Sequence, residues 1–183
     1  MELMEAIKTR RSVRHYKSDP VPESLLNVVL EAAQWAPSWA NTQCWRFIVV
    51  KDPLIKAALV ETLNKGNPST QAFIDAPIVI VGCAELKKAG FYKEVTVTGK
   101  GDWFMFDLGL TMQNLVLAAH SLGLGTVHVG YFDAKQAAKA LDLPEGVVAV
   151  EMTPLGYPAR EARATPRKPL NEIVFYEKYG QTK

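Results

Sequence analysis

The chain has little that would tie it to a metal, a disulfide framework or a membrane. Its 183 residues include two cysteines, Cys44 and Cys83, far apart and neither in a CxxC pair. Disulfide and zinc readings therefore carry little weight. The histidines, His15, His120 and His128, show no metal-ligand spacing. No apolar run approaches the ~20 residues that span a bilayer. The opening MELMEAIKTRR is acidic and then basic, without the apolar stretch of a signal peptide. These absences predict a cytoplasmic protein with no membrane partner.

Familiar chemical motifs are missing too. There is no GxxxxGK[ST] phosphate loop, no GxSxG and no HExxH. Gly123-x-Gly125-x-x-x-x-Gly130 has the wrong spacing for a dinucleotide fingerprint, and it follows a helical pattern instead of linking a strand to a helix. No internal repeat, low-complexity tract or second-domain boundary is visible. Residues 1–183 read as one domain, with 48% hydrophobic and 22% charged residues.

The charge that is present is unevenly placed. Net charge is +2, yet Lys8–Lys17 carries five cations and no acid. Arg160–Lys168 carries four cations and one glutamate, which leaves −6 for the rest of the chain. A nucleic-acid-binding protein would be basic over a broad face. Two basic ends on an acidic body suit one discrete anion, provided that the ends meet. Arg10-Arg-Ser-Val-Arg14 is the densest part. Arginine forks and a serine hydroxyl match phosphate oxygens. The plainer reading is that these arginines complement the C-terminal dipole of a short helix.

Periodicity predicts a short helix before Arg10 (Leu3, Met4, Ile7) and a second from about Pro22 to Pro37. A polar loop, Ala36–Cys44, leads into a strand at Trp45–Val50. A helix from Pro53 to Leu63 stops at an Asn/Gly/Pro linker, residues 64–69. Pro77–Gly82 reads as a strand buried on both faces. Lys87–Trp103 lacks a pattern and reads as a mobile excursion near a site. Phe104–Leu122 is the longest helical pattern, apolar on more than one face and therefore central. Thr126–Gly130 and Val147–Leu155 read as strands, with Asp133 as N-cap of a helix at Lys135–Leu141. Ile173–Tyr176 reads as a terminal strand. Strands alternating with helices give an α/β or α+β domain.

Four blocks together resemble the flavin-dependent nitroreductase family, whose members carry FMN. They are Arg10-Arg-Ser-Val-Arg14 with Tyr16; Ala36-Pro-Ser-x-x-Asn-x-Gln-x-Trp-x-Phe47; Gly123-Leu-Gly-Thr with Gly130-x-Phe-Asp133; and Leu155-Gly-Tyr-Pro158 with Arg167-Lys-Pro169. The resemblance covers almost the whole chain in the same order. It implies an α+β nitroreductase-like fold, with a central, mostly antiparallel sheet flanked by helices. It also implies a homodimer with an extended C-terminal tail and FMN at the interface, acting on a small-molecule electron acceptor and not on nucleic acid. Carried over by position, Arg10, Arg11, Ser12 and Arg14 would hold phosphate and ribityl oxygens, with Arg167 reaching the phosphate from the tail. Pro37, Ser38, Trp39, Asn41 and Gln43 would come from the partner subunit. His128, Val129 and Gly130 would line the flavin ring, with a backbone N–H near Gly130 donating to flavin N5. The chemistry would be borne by the flavin, with NADH or NADPH as co-substrate, and no side chain need be catalytic. Cys44 departs from the family, which often has proline there, and Asn67–Gln71 lacks the family's usual polar pair.

From the residues alone each position has a simpler role. Trp39 and Trp45 can be core or interface aromatics, and Asn41 and Gln43 can bond their own loop. His128 can be a structural histidine, Gly130 a turn residue and Arg167 part of a solvated tail. The competing function is a module that holds FMN or another phosphorylated ligand without turnover.

Overall fold

A computed structural model describes residues 1–182. Its centre is a four-stranded sheet in the order β1 (Trp45–Val50), β2 (Ile78–Glu85), β6 (Val147–Gly156), β5 (Gly125–Thr126). Every pairing in it is antiparallel, so the fold is α+β. The helices are α1 (Leu3–Thr9), α2 (Glu23–Gln34), α3 (Pro53–Glu61), α4 (Thr70–Asp75), α5 (Phe104–Ser121) and α6 (Ala134–Ala140). A separate hairpin, β3 (Phe91–Tyr92) and β4 (Val95–Thr96), lies between β2 and α5.

The apolar run in β2 is explained by its neighbours. Alternate side chains of a strand point to opposite faces. Ile78 and Ile80 join Leu26, Val29, Leu108, Met112 and Leu115 of α2 and α5. Val79, Val81 and Cys83 join Leu59, Phe73, Ala137 and Met152 on the other side. Both faces are therefore covered, and α5 runs through the middle of the larger core. Two side chains of α5 bind α2 carbonyls: Thr111 Oγ1 donates to Ala33 and Asn114 Nδ2 to Ala32.

The strand expected at Thr126–Gly130 is cut short. The register that pairs Gly125 with Gly156 and Thr126 with Leu155 also pairs Val129 with Met152. Between these lies Pro154, which has no N–H to give the ladder. A short helix that periodicity does not mark follows the linker at Thr70–Asp75. Three further expectations are corrected. Pro22 is the N-cap of α2 instead of its first turn. Ile173–Tyr176 is not a strand; a single 3-10 turn at Leu170–Glu172 precedes it. Lys87–Trp103 is pinned at its base by Lys87 N–H to Asp102, Trp103 N–H to Ala89 O and Trp103 Nε1–H to Thr98 Oγ1.

After α1 the chain runs along the open side of β5. Val13 N–H donates to Thr126 O at 2.8 Å, and Ser12 forms a parallel bridge with Thr126. The approach is so close that a Cβ on Gly125 would lie 2.9 Å from Val13 Cβ and both of its methyls. Gly125→Ala should therefore destabilise the protein by ~1–3 kcal/mol, the usual range for overpacking. Urea unfolding of the two proteins measures this.

Candidate functional site

The basic N-terminal segment sits where the sheet edge and the tail converge. Lys17 N–H donates to Tyr157 O, and Ala159 N–H donates to His15 O. Tyr16 bridges Pro158, and Arg160 contacts the His15 ring. The residues after β6 thus lie against residues 15–17. The tail then returns Arg167 to Arg10: burial first, and then the charges of Arg11 and Arg167, hold the Arg10 guanidinium below its ordinary pKa. The two basic ends meet, as the charge distribution requires.

Two adjoining clefts open here. One, of about 610 Å³, is lined by Thr9, Arg10, Arg11, Lys17, His120, Gly123, Thr126, Arg160 and Glu161 among others. The other, of about 550 Å³, is lined by Ser12, Arg14, His15, Arg160, Glu161, Arg163 and Thr165. The ion pairs among the described residues are Arg46–Glu85, Lys51–Glu23 and His128–Glu151, and none involves an arginine of this cluster. Glu161 is the acid that lines both clefts.

The arginines differ in what they bind. Arg11 Nη1 donates to Lys8 O and Arg10 O, both at 2.7 Å, so Arg11 does complement the end of α1. Arg167 Nη1 donates to Thr165 O, Thr165 Oγ1 and Pro166 O. Arg14 is exposed. Arg10 Nη1 is buried and has no hydrogen-bond partner among the described residues. A buried charged donor without a partner is costly, so such a group marks a place where an acceptor is to be supplied.

The Pro37–Gln43 loop lies elsewhere. It joins α2 to β1 and contains the 3-10 turn Trp39–Asn41. Trp39 N–H donates to both carboxylate oxygens of Asp107, at 3.0 and 3.1 Å. Gln43 N–H donates to Ser38 Oγ, and Gln43 Nε2 donates to Asn41 Oδ1 at 3.2 Å. Asn41 and Gln43 therefore bond each other within one chain, with both side chains exposed. Pro37 is exposed, and Ser38 and Trp39 are half-buried. Thr42 Oγ1 is a second buried side-chain atom without a partner. Trp45, by contrast, belongs to the core.

Asp107 stands in the first turn of α5, whereas His120 is in its last turn, beside Arg10 and Arg11. Thirteen residues of α-helix separate them by about 20 Å. One chain thus holds the arginine cluster and the polar loop at opposite ends of α5.

His128, Val129 and Gly130 continue from β5 past the Pro154 gap. Val129 is buried, and its N–H and C=O both bond Met152. It serves as a spacer and not as a donor to a ligand. His128 Nδ1 is 2.7 Å from Glu151 Oε1. Gly130 is exposed; no left-handed φ requires a glycine there, and a Cβ would meet nothing within 4 Å. Its N–H has no partner among the described residues, which leaves it open as a donor. Asn67 Nδ2 donates to Tyr131 O, placing the Asn67–Gln71 stretch next to this segment. Sequence reasoning missed His120 and Asp107. They are the two ionisable residues of a mostly apolar helix, and only the fold reveals their neighbours.

A family model described as the nitroreductase family matches residues 7–157. The chain is 33% identical to an NADH dehydrogenase of Thermus thermophilus, over 96% of each chain. It is 31% identical to an FMN reductase [NAD(P)H] of Bacillus subtilis, over 97% of this chain and 74% of that protein. Among solved structures, a nitroreductase family protein of Clostridium difficile superposes with a TM-score of 0.83 at 27% identity, covering 97% and 99% of the two chains.

His120 links the cluster to pH. Its Nε2 lies 2.8 Å from Thr9 Oγ1. Burial, then Arg10 and Arg11, depress its pKa from the ordinary 6.5, against a smaller opposing pull from Glu5. In the unfolded chain the imidazole binds its proton more readily, so stability is present above pH 6.5 and is lost as pH falls through the lower folded value. Denaturant unfolding of the ligand-free protein should show a decline in stability as pH falls below the ordinary 6.5 that is shallower in His120→Gln.

Proposed function

The chain belongs to the nitroreductase family, and on that premise we propose that it is an NAD(P)H-dependent flavin oxidoreductase that holds FMN between two copies of itself. The observation that carries the reading is the convergence of Arg10, Arg11 and Arg167 around a buried guanidinium nitrogen with no acceptor. FMN brings a phosphate with charge near −2 and several acceptor oxygens. That chemistry fits this donor set, in which no arginine is paired to a carboxylate.

Arg10 and Arg167 would hold the phosphate, Arg11 would add charge, and Ser12 and Arg14 would reach the ribityl oxygens and ring. Asn41 and Gln43, with Pro37, Ser38 and Trp39 behind them, would come from the partner subunit. The 20 Å of α5 between the two groups favours this division. It leaves Thr42 Oγ1 in one half and Arg10 Nη1 in the other, each to be satisfied on assembly. Gly130 would present its open N–H to the ring edge, with Val129 fixing its position and His128 held off by Glu151. Bound FMN would supply the chemistry for hydride transfer between NADH or NADPH and an electron-poor acceptor such as a nitroaromatic, quinone or enone, and the residues named above would hold and orient it. The side chains of this site bind, orient and balance charge; none is placed to act as a nucleophile.

Arg10→Ala and Arg167→Ala should each weaken FMN binding by roughly ten- to hundred-fold, since each removes a charge-assisted bond of ~1.5–3 kcal/mol. Titration of the apoprotein with FMN reads this out, and unchanged affinity in both variants would reject the phosphate assignment. The holoprotein should be yellow, bleach with NADH or NADPH, and recolour with a quinone or nitroaromatic. Bound FMN that neither nicotinamide bleaches would make the protein a flavin-holding module instead.

A further inference from the structure

We propose that Asp107 is a positioning residue: its buried carboxylate clamps both ends of the Ser38–Cys44 loop and so fixes the surface that one subunit lends to its partner's flavin. The proposal rests on the flavin-site reading above.

The loop has a conformation its sequence does not favour. Ala40, Asn41 and Gln43 have φ of 44°, 56° and 47°, and no glycine lies between Pro37 and Trp45 to ease the turn. Left-handed backbone is unfavourable at alanine and glutamine, less so at asparagine, and persists where the surroundings impose it. Asp107 supplies much of that constraint. It accepts Trp39 N–H on both oxygens at the start of the turn. It accepts the Cys44 thiol at 3.8 Å on Oδ2 at the end of the turn. Ser38 Oγ ties Gln43 N–H from within, and Arg46, paired with Glu85, donates to Gln43 O.

Asp107 is fully buried, so it acts on a ligand only through the loop. It has no cationic partner among the described residues. Burial above all, with the charge of Asp102, pushes its carboxyl above the ordinary pKa, against the bonds from Trp39 N–H and the Cys44 thiol. Burial first, and then Asp107 itself, push the Cys44 thiol up to about 11, so it stays a protonated donor at neutral pH. The residues held between the two anchors include Asn41 and Gln43, which face solvent, and the unpartnered Thr42 hydroxyl.

The test is FMN titration of the full-length apoprotein, below the unfolding temperature of every variant. Asp107→Ala should weaken affinity about tenfold or more, and Asp107→Asn, which keeps an acceptor for Trp39 N–H, should stay within about threefold of the parent. The loop variant N41A/Q43A should also weaken binding. Combined with Asp107→Ala it should bind no worse than the weaker of the two, because both changes remove the same contacts. Losses that multiply, or an Asp107→Ala protein that binds like the parent, would overturn the proposal. So would a loop variant that binds like the parent while Asp107→Ala does not. If Asp107→Ala does not fold, Cys44→Ser and Cys44→Val decide: the serine, a donor, should match the parent and the valine should bind about threefold more weakly. Equal affinity in that pair would count against the clamp. Failure of the flavin-site reading looks different: there, Arg10→Ala leaves FMN affinity unchanged.

Discussion

Arg10 is held where burial and like charge both act against its guanidinium. Its guanidinium is partly buried, has Arg11 and Arg167 close enough to depress its pKa, and carries a nitrogen without an acceptor. Like charges repel, and a desolvated donor lacks the water it would otherwise bind. The rest of this end of the molecule works to keep it there. α1 ends at Thr9, the next residues lie along β5, and Gly125 has no side chain to push them away. The chain after β6 runs beside residues 15–17, and the tail then brings Arg167 back. In the proposed function a dianionic phosphate would offset these costs.

α5 sets the second constraint. It is buried against α2 and the sheet along its length, and it keeps the arginine cluster and the Trp39–Gln43 loop apart. The family relationship and the two unpartnered polar atoms, one at each end, give that separation a meaning. In the proposed assembly each copy contributes one end of its own α5 to each of two sites. A change at either end of the helix would then be felt at a cofactor site shared with the other copy. The open N–H of Gly130 fits the same scheme, because its donor direction is set by the paired backbone of Val129 and not by a side chain that titrates.

Much of this was legible in the sequence where burial is strong. β1, β2, β6, α2 and α5 follow their hydrophobic patterns, and Asp133 caps α6 as its position suggests. The failures have separate physical reasons. α4 is only six residues long and is held by Ala72 and Phe73 in the core, so packing decides it and propensity does not. The hairpin at Phe91–Thr96 turns on Lys93 and Glu94, both left-handed, where the usual signal would be Asn-Gly. Ile173–Tyr176 has strand-forming residues, but no strand pairs with it among the described residues. The arginine cluster was legible because charge asymmetry predicts that the ends meet. Asp107 was not, because nothing in an apolar helix says that one carboxylate accepts bonds from a loop more than sixty residues earlier.

The central claim is that each flavin site is built from two copies of the chain, and subunit mixing tests it most directly. Arg10→Ala damages the cluster and N41A/Q43A damages the loop, so neither homodimer should retain a site of parental affinity. Refolded together, the two chains should form a hybrid in which one site combines an intact cluster with an intact loop. Random pairing then predicts that about a quarter of all sites regain parental FMN affinity. A mixture that regains none, while the hybrid is shown to form, would contradict the account.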